Sequence, residues 1–384
     1  MRQDLNSASV VHLVSWYPSR DNPFRATFIK SHFRATLKKG RHKLIHVEAL
    51  YRKGFPSLCF GKYSEFEKYR LIFIPTKNSF ITELITIILI FFVRVELGKR
   101  WWDGVHVHIA WPILRFPRVF SLLFGNQILI GEHWSAYHSS FNLKPNTRAM
   151  RNMQSMFSLN LPITVVSKAL AMDIKKFAPQ ISSTFHIIPN IVDSNIFFPP
   201  NHHRKPTRNM TEFLMVANWA PIKLPFLVLN AAKELAHKSI AFRVNIVGEG
   251  AQISAMREFT VKNNLEGHIS FLGSLDSPHI AMKMREVDAF LHPSAYETFS
   301  LVCAEALCCG LPIFFSDLPA IREFVDIKHG TPVSNTQDSW LHAMSSFISQ
   351  QSNISANVSK NASQNFSPKI IGEMFNSLYC ELWK

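Results

Sequence analysis

At 384 residues the chain is long enough for two ordinary domains, each with its own core. Its 47% hydrophobic and 18% charged composition excludes a disordered or low-complexity protein. The net charge of +15 admits an anionic partner, either nucleic acid or an acidic membrane surface, and no zinc finger or RRM-type motif marks the first.

The charge is unevenly placed. Residues 1–200 carry 26 Lys and Arg against 11 Asp and Glu, whereas residues 201–384 carry 16 of each. A basic first half resting on an anionic inner-membrane surface accounts for this asymmetry, and a generally basic, soluble face is the alternative. Met1–Val10 is polar, so no secretion signal is expected. The five cysteines are odd in number and irregularly spaced, which reads as reduced thiols in a cytoplasmic protein.

In chain order, strand-like runs fall at Val10–Ser15, Lys43–Ala49, Val105–Ile109, Ile128–Gly131 and Thr164–Ser167, with helical patterns between them. That alternation predicts a parallel sheet with crossover helices. The loop after the first run carries Trp16, Arg20 and Arg25, suited to a charged acceptor or to an ordinary basic surface. Leu84–Val93 is the longest apolar run and is too short to span a bilayer, which takes about 20 residues. It reads as buried core for most of its length, with a membrane-surface element as the sharper alternative because Arg94, Lys99 and Arg100 follow. His106 and His108 share one strand face, and a metal there lacks a third ligand in the sequence. His133 ends a strand in GEHWS, where a backbone-bonded structural histidine competes with a ligand contact.

Residues 197–210, rich in Pro and basic residues, read as a linker between a first domain, 1–196, and a second, 211–367. Strand runs recur at Phe213–Ala217, Arg243–Gly248, Ile269–Leu272, Ala289–Leu291 and Ile313–Ser316. Gly248-Glu249-Gly250 predicts a tight strand-to-helix turn and lacks the third glycine of a dinucleotide fingerprint. Four N-x-S sequons at Asn353, Asn357, Asn361 and Asn365 read as a polar stripe on a surface helix.

The stretch 291–325 is the most informative. It reads strand, loop, helix from Leu301 to Cys309, stop at Gly310, then a new strand. Thr298 and Ser300 are candidate N-caps. The helix N-terminus suits a diphosphate, and Glu297 and Glu305, before and inside the helix, could each accept hydroxyls. Spacing alone also fits two unconnected glutamates.

This segment resembles the E-x7-E region of the retaining family 4 glycosyltransferases, the glycosyl transferases group 1 superfamily. Pro293, Ser294, Glu297, Phe299, Glu305, Ala306, Gly310 and Pro312 carry the match. The likeness continues through residues 10–36, VHVHIAWP at 105–112, ILIGEHWSAYH at 128–138, IIPNIVD at 187–193 and IVGEG at 246–250. It implies an α/β protein of GT-B fold, two Rossmann-like parallel-sheet domains facing a central cleft, with the last helix, 368–384, packing back on the first domain. It implies a hexosyltransferase moving a sugar, with retention, from a nucleoside-diphosphate-sugar to a saccharide acceptor. A lipid-linked acceptor in bacterial surface polysaccharide assembly (O-antigen, capsule or exopolysaccharide) fits the basic first half.

By the same resemblance Glu297 binds sugar hydroxyls, Glu305 binds ribose hydroxyls, and His133 reaches the donor sugar or the acceptor. Lys223 faces the diphosphate, with Asn218, Thr298, Ser300, Gly248 and the backbone of Phe299–Leu301 on the donor side. Where the family places an Arg, this chain has Asn218, which donates hydrogen bonds but brings no charge. No D-x-D occurs, so a metal-independent reaction without a cofactor is expected. A non-catalytic nucleotide-binding relative, a phosphorylase on the same fold and a basic nucleic-acid-binding protein are the competing readings.

Overall fold

The structure is a computed structural model that describes residues 7–18, 25–141, 147–200, 210–326, 328–350 and 365–384. The chain divides into two compact units, Met1–Ile191 with Pro368–Lys384, and Val192–Ser367.

The first unit runs β1 (Ser9–Val14), α1 (Thr27–Thr36), β2 (Arg41–Tyr51), β3 (Ser57–Lys62), β4 (Glu67–Ile74), α2 (Ser79–Leu97), β5 (Gly104–His108), α3 (Pro117–Phe124), β6 (Ile128–Glu132), α4 (Arg148–Ser155), β7 (Ile163–Val165), α5 (Lys168–Phe177) and β8 (Phe185–Ile187). Its strands order β3-β4-β2-β1-β5-β6-β7-β8. All pairs are parallel except the β3–β4 hairpin at one edge. The central strands are buried along almost their whole length, as a sheet covered on both faces requires, and they carry His12, His106, His108 and Glu132 inward among apolar residues. The hairpin escapes a periodicity reading because β3 is exposed on both sides and shows no alternation.

The second unit runs β9 (Thr211–Val216), α6 (Pro225–His237), β10 (Phe242–Val247), α7 (Ile253–Lys262), β11 (Ile269–Gly273), α8 (Ser277–Glu286), β12 (Ala289–His292), α9 (Leu301–Cys308), β13 (Ile313–Ser316), α10 (Pro319–Arg322), β14 (Gly330–Val333) and α11 (Gln337–Gln350). Its sheet orders β11-β10-β9-β12-β13-β14, parallel throughout. This is the doubly wound order, which reverses direction between β9 and β12. Its core packs Trp219, Phe242 and Trp340 among aliphatic side chains.

The final helix, α12 (Pro368–Trp383), belongs to the first unit and lies on α1. The two helices approach so closely that a Cβ at Gly372 would sit 2.3 Å from the Ala35 carbonyl oxygen. Ile371, Phe375 and Tyr379 bury the contact. The division between the units falls at Ile191/Val192, ahead of the boundary expected at 196. Residues 192–196 are tied to the second unit by Val192 N–H donating to Phe366 O (3.0 Å) and Arg285 donating to Ile196 O (3.0 Å). Within the expected linker, residues 201–209 lie outside the described residues, as do the sequons at Asn353, Asn357 and Asn361.

The apolar run at Leu84–Val93 does not go into the core as a whole. It forms the middle of α2, whose inward face holds Glu83, Thr86, Leu89, Ile90 and Val93. Ile81, Leu84, Ile88, Phe91, Phe92 and Val95 are exposed. Helical geometry forces this split, because residues three and four apart share a face and a run apolar at nearly every position must present some to the outside.

Candidate functional site

Two loops leave the C-terminal ends of β9 and β12, the adjacent strands at which the second unit's sheet reverses order, the place where open α/β sheets take ligands. The first loop begins with Ala217, exposed Asn218 and buried Trp219. Trp219 is locked by its indole N–H donating to Val247 O at 3.1 Å. The loop closes in a single 3-10 turn, Pro221–Lys223, that ends on Lys223. Gly248 has φ 110°, and a Cβ there would meet Ala217 O at 1.9 Å. Gly248→Ala therefore pushes the β9 loop away; we expect a loss of about 2 kcal/mol or more in stability, read by denaturant unfolding. A midpoint equal to wild type would contradict this.

The second loop is pinned at its base. Ser294 N–H donates to Ser316 Oγ (2.8 Å), Asn335 Nδ2 donates to Ser294 O (3.1 Å), and Ala295 N–H donates to Ile222 O (2.8 Å). The last bond fastens this loop to the turn that carries Lys223. As a result the Lys223 ammonium pairs directly with the Glu297 carboxylate. His292 Nε2 adds a second contact to Glu297 at 2.8 Å and lies 3.1 Å from Ser300 Oγ. Burial opposes ionisation of Glu297, but the Lys223 charge and the His292 bond outweigh it and hold the carboxyl at about 2.

Ser300 sits at the N-cap of α9 but caps nothing. Its backbone is left-handed (φ 76°) and its hydroxyl is turned to His292, so no side-chain cap bond forms there, contrary to the capping role expected of Ser300. The expectation failed because His292 competes for the hydroxyl. The first N–H groups of α9 are thus left to other acceptors. Phe299 packs on Phe324 and Phe366, so only its backbone can face a ligand, and Leu301 opens the helix with Thr298 in the bend before it. Glu305 lies on α9 about one turn in from Leu301. It is partly buried, no hydrogen bond or ion pair reaches its carboxyl among the described residues, and loss of hydration pushes it up to about 8. Gly310, at φ 68°, ends the helix by donating to Leu307 O at 2.9 Å.

In the first unit, His133 follows β6 and stacks on Phe28 (4.4 Å between centroids) and beside His32 (5.2 Å). Burial, with His32 and His108 nearby, holds it neutral well below the usual histidine range, and its Nδ1 has no hydrogen-bond partner among the described residues. Trp16 packs edge-on against Trp134 at 5.2 Å, and the Arg25 guanidinium lies 5.6 Å from its ring. Arg25 is already paired with Glu48 at 2.8 Å, so its charge is spent within the unit, a partner that sequence distance concealed. Arg20 lies outside the described residues.

Sequence reasoning missed Glu132. It is fully buried, accepts from Ala110 N–H and from the Tyr137 hydroxyl (2.8 Å each), and titrates at about 7 because burial opposes its charge. It braces the backbone beside His133. His12 is the other omission. The parallel register places His12 opposite His106, supplying the third ring that a metal reading of His106 and His108 lacked. His106 Nδ1 lies 2.7 Å from the Tyr379 hydroxyl while its Nε2 has no partner among the described residues, and the other rings are joined as neutral tautomers: His108 Nε2 lies 3.0 Å from His12 Nδ1, His12 Nε2 lies 3.2 Å from His42 Nδ1, and His42 Nε2 lies 2.6 Å from Lys39 O. With the Nε2 of His108, His12 and His42 each as donor, these three form one continuous chain of bonds.

Two α/β units of this construction are those of the GT-B fold. The chain overlays on a sucrose-phosphate synthase from Thermosynechococcus elongatus with a TM-score of 0.74, 16% identity and 97% and 99% of the two chains covered. It overlays on Anabaena HepE in complex with UDP with a TM-score of 0.72, 15% identity and 97% and 100% covered. Residues 200–365, most of the second unit, match the family model "Glycosyl transferases group 1". A Bacillus subtilis relative described as the putative glycosyltransferase EpsF is 30% identical over 152 residues, 38% of this chain and 38% of the relative. The chain thus matches well under half the length of that curated relative.

Proposed function

We propose that the protein transfers a sugar from a nucleoside-diphosphate-sugar, with retention at the anomeric carbon, to a lipid-linked saccharide in bacterial surface polysaccharide assembly. The observation that carries the donor half is the pairing of Lys223 with Glu297 beside an unpartnered Glu305 carboxyl on the same loop and helix. A donor diphosphate would displace Glu297 from Lys223 and rest on the open N-terminus of α9, where fixed N–H groups and a cation meet charge as it develops on the leaving group. Glu297 would then turn to sugar hydroxyls, and Glu305 would accept hydroxyls of the ribose. The UDP held by the Anabaena neighbour favours a uridine donor. The basic first half favours an acceptor displayed at an anionic membrane. No helix of the described residues is long and apolar enough to cross one, which fits a peripheral arrangement.

Calorimetry against UDP, GDP, ADP and their sugars tests the reading. One nucleoside diphosphate should bind, and Glu305→Ala should abolish the binding; absence of binding by every nucleotide tested, with tight binding of DNA or RNA, would overturn it.

The pH dependence follows from Glu305. Free, it holds its proton up to about 8, and to accept two hydroxyls it must release that proton. Affinity should therefore weaken about tenfold per pH unit as pH falls below 8 and level off above it. Glu305→Gln should flatten the profile. A wild-type affinity constant across this range would refute the assignment.

A further inference from the structure

The outward face of α2 is more apolar than the face it buries. Ile81, Leu84, Ile88, Phe91, Phe92 and Val95 recur at three- and four-residue spacing and form one stripe. Phe92 and Val95 are each 61% exposed. The opposite stripe, turned inward, contains Glu83 and Thr86, and Glu83 needs the Arg115 guanidinium at 3.0 Å to be held there. A helix that only had to cover a sheet would carry these residues the other way round. Beside it, α3 adds Leu122, 87% exposed, and Arg94 ties the two helices by donating to Leu123 O at 2.8 Å. Exposed apolar side chains concentrated on two adjoining helices mark an interaction site.

Charge identifies the occupant. Between positions 77 and 126 the sequence holds six Lys or Arg and three Asp or Glu. All three acids are already engaged: Glu83 with Arg115, Glu96 with Lys68 and Arg70, and Asp103 with the Ser9 N–H. The rim of the stripe is therefore positive at Lys77, Lys99, Arg100 and Arg118, with the apolar side chains between. An apolar stripe of aromatic and aliphatic residues inside a basic rim is the chemistry of a helix lying in the interface of an anionic bilayer. A second copy of this chain would bring the same positive rim against itself and repel.

We propose that the α2–α3 face is the surface by which this protein docks on anionic lipid membranes, with Phe91, Phe92 and Leu122 entering the acyl boundary. This deepens the lipid-linked acceptor reading of the proposed function. It does not depend on catalysis, since docking is read without turnover while failure of the donor reading shows in nucleotide binding.

The test is sedimentation of the full chain with vesicles of phosphatidylcholine alone and with vesicles of equal parts phosphatidylcholine and phosphatidylglycerol. Wild type should partition to the mixed vesicles and not to phosphatidylcholine alone. Phe92→Asp with Leu122→Asp should reduce that partition by about tenfold or more, because each inserted apolar side chain is replaced by a charge that the surface repels. Nucleotide binding and the melting midpoint of this variant, whose changes are at exposed positions, should match wild type. Arg118→Glu should weaken binding at low salt with little change at high salt. No partition of wild type to the anionic vesicles would overturn the proposal. So would partition unchanged in the double variant, or sedimentation velocity showing a wild-type dimer that the double variant abolishes.

Discussion

Lys223→Met should lower turnover by about two to three orders of magnitude, with the melting midpoint reduced only modestly. The catalytic loss follows from removing the one cation that the β9 loop brings to Glu297, where negative charge would appear on the departing diphosphate. The smaller effect on stability follows from what remains, because His292 still contacts Glu297 at 2.8 Å. Stripping one partner from this partly buried pair should cost about 1–3 kcal/mol. Combining Lys223→Met with Glu297→Gln removes the orphaned charge, so the double variant should regain stability relative to Lys223→Met and regain no activity. Steady-state kinetics and denaturant unfolding on all three variants decide the matter. If Lys223→Met retained near-wild-type turnover, Lys223 would be a structural ion-pair partner and the donor site would lie elsewhere.

The first unit should unfold on mild acidification while the second stays folded. His12, His32, His42, His106, His108 and His133 are all held neutral, in each case chiefly by burial; His32 and His42 lie at about 4 and His108 at about 3. An unfolded chain takes up these protons near 6.5. Their stabilising contribution is therefore present above 6.5 and is lost as pH falls below it, at roughly 1 kcal/mol per pH unit for each group. Glu132 works the other way: its proton is held up to about 7, so its contribution is full in acid and fades as pH rises through 7. Glu83, raised by burial, has the same sign. Six groups against two leave a steep net loss, and a typical domain has only about 5–15 kcal/mol to lose. Calorimetric scans from about pH 7.5 to about pH 5 should show the first unit's transition moving down and separating from the second's. A single transition with a constant midpoint over that range would show that the cluster accepts protons without cost.

How far this protein can be read without coordinates depends on whether a feature is local. The ten strand runs marked in the sequence, the helix that opens at Leu301 and its stop at Gly310 are set by short-range chemistry: continuous apolar runs, good helix formers, and a glycine able to take positive φ. The E-x7-E spacing is local too, which is why Glu297 and Glu305 stood out. The β3–β4 hairpin did not, because an edge strand exposed on both faces carries no pattern. Leu84–Val93 was legible as an apolar helix, but which residues face outward depends on how α2 lies on its sheet.

The electrostatics were settled by the fold alone. Lys223 and Glu297 are 74 positions apart and meet because β9 and β12 are neighbours at the point where strand order reverses. His12 and His108 are 96 apart and bond because parallel β1 and β5 align them. Arg25 reaches Glu48, and the Ser300 hydroxyl turns from its own helix to His292. The sequence determined which chemical groups and which elements exist. Only the tertiary structure decided which groups share a dielectric environment close enough to shift one another's charge, because pairing and desolvation act over a few ångströms of space regardless of separation along the chain.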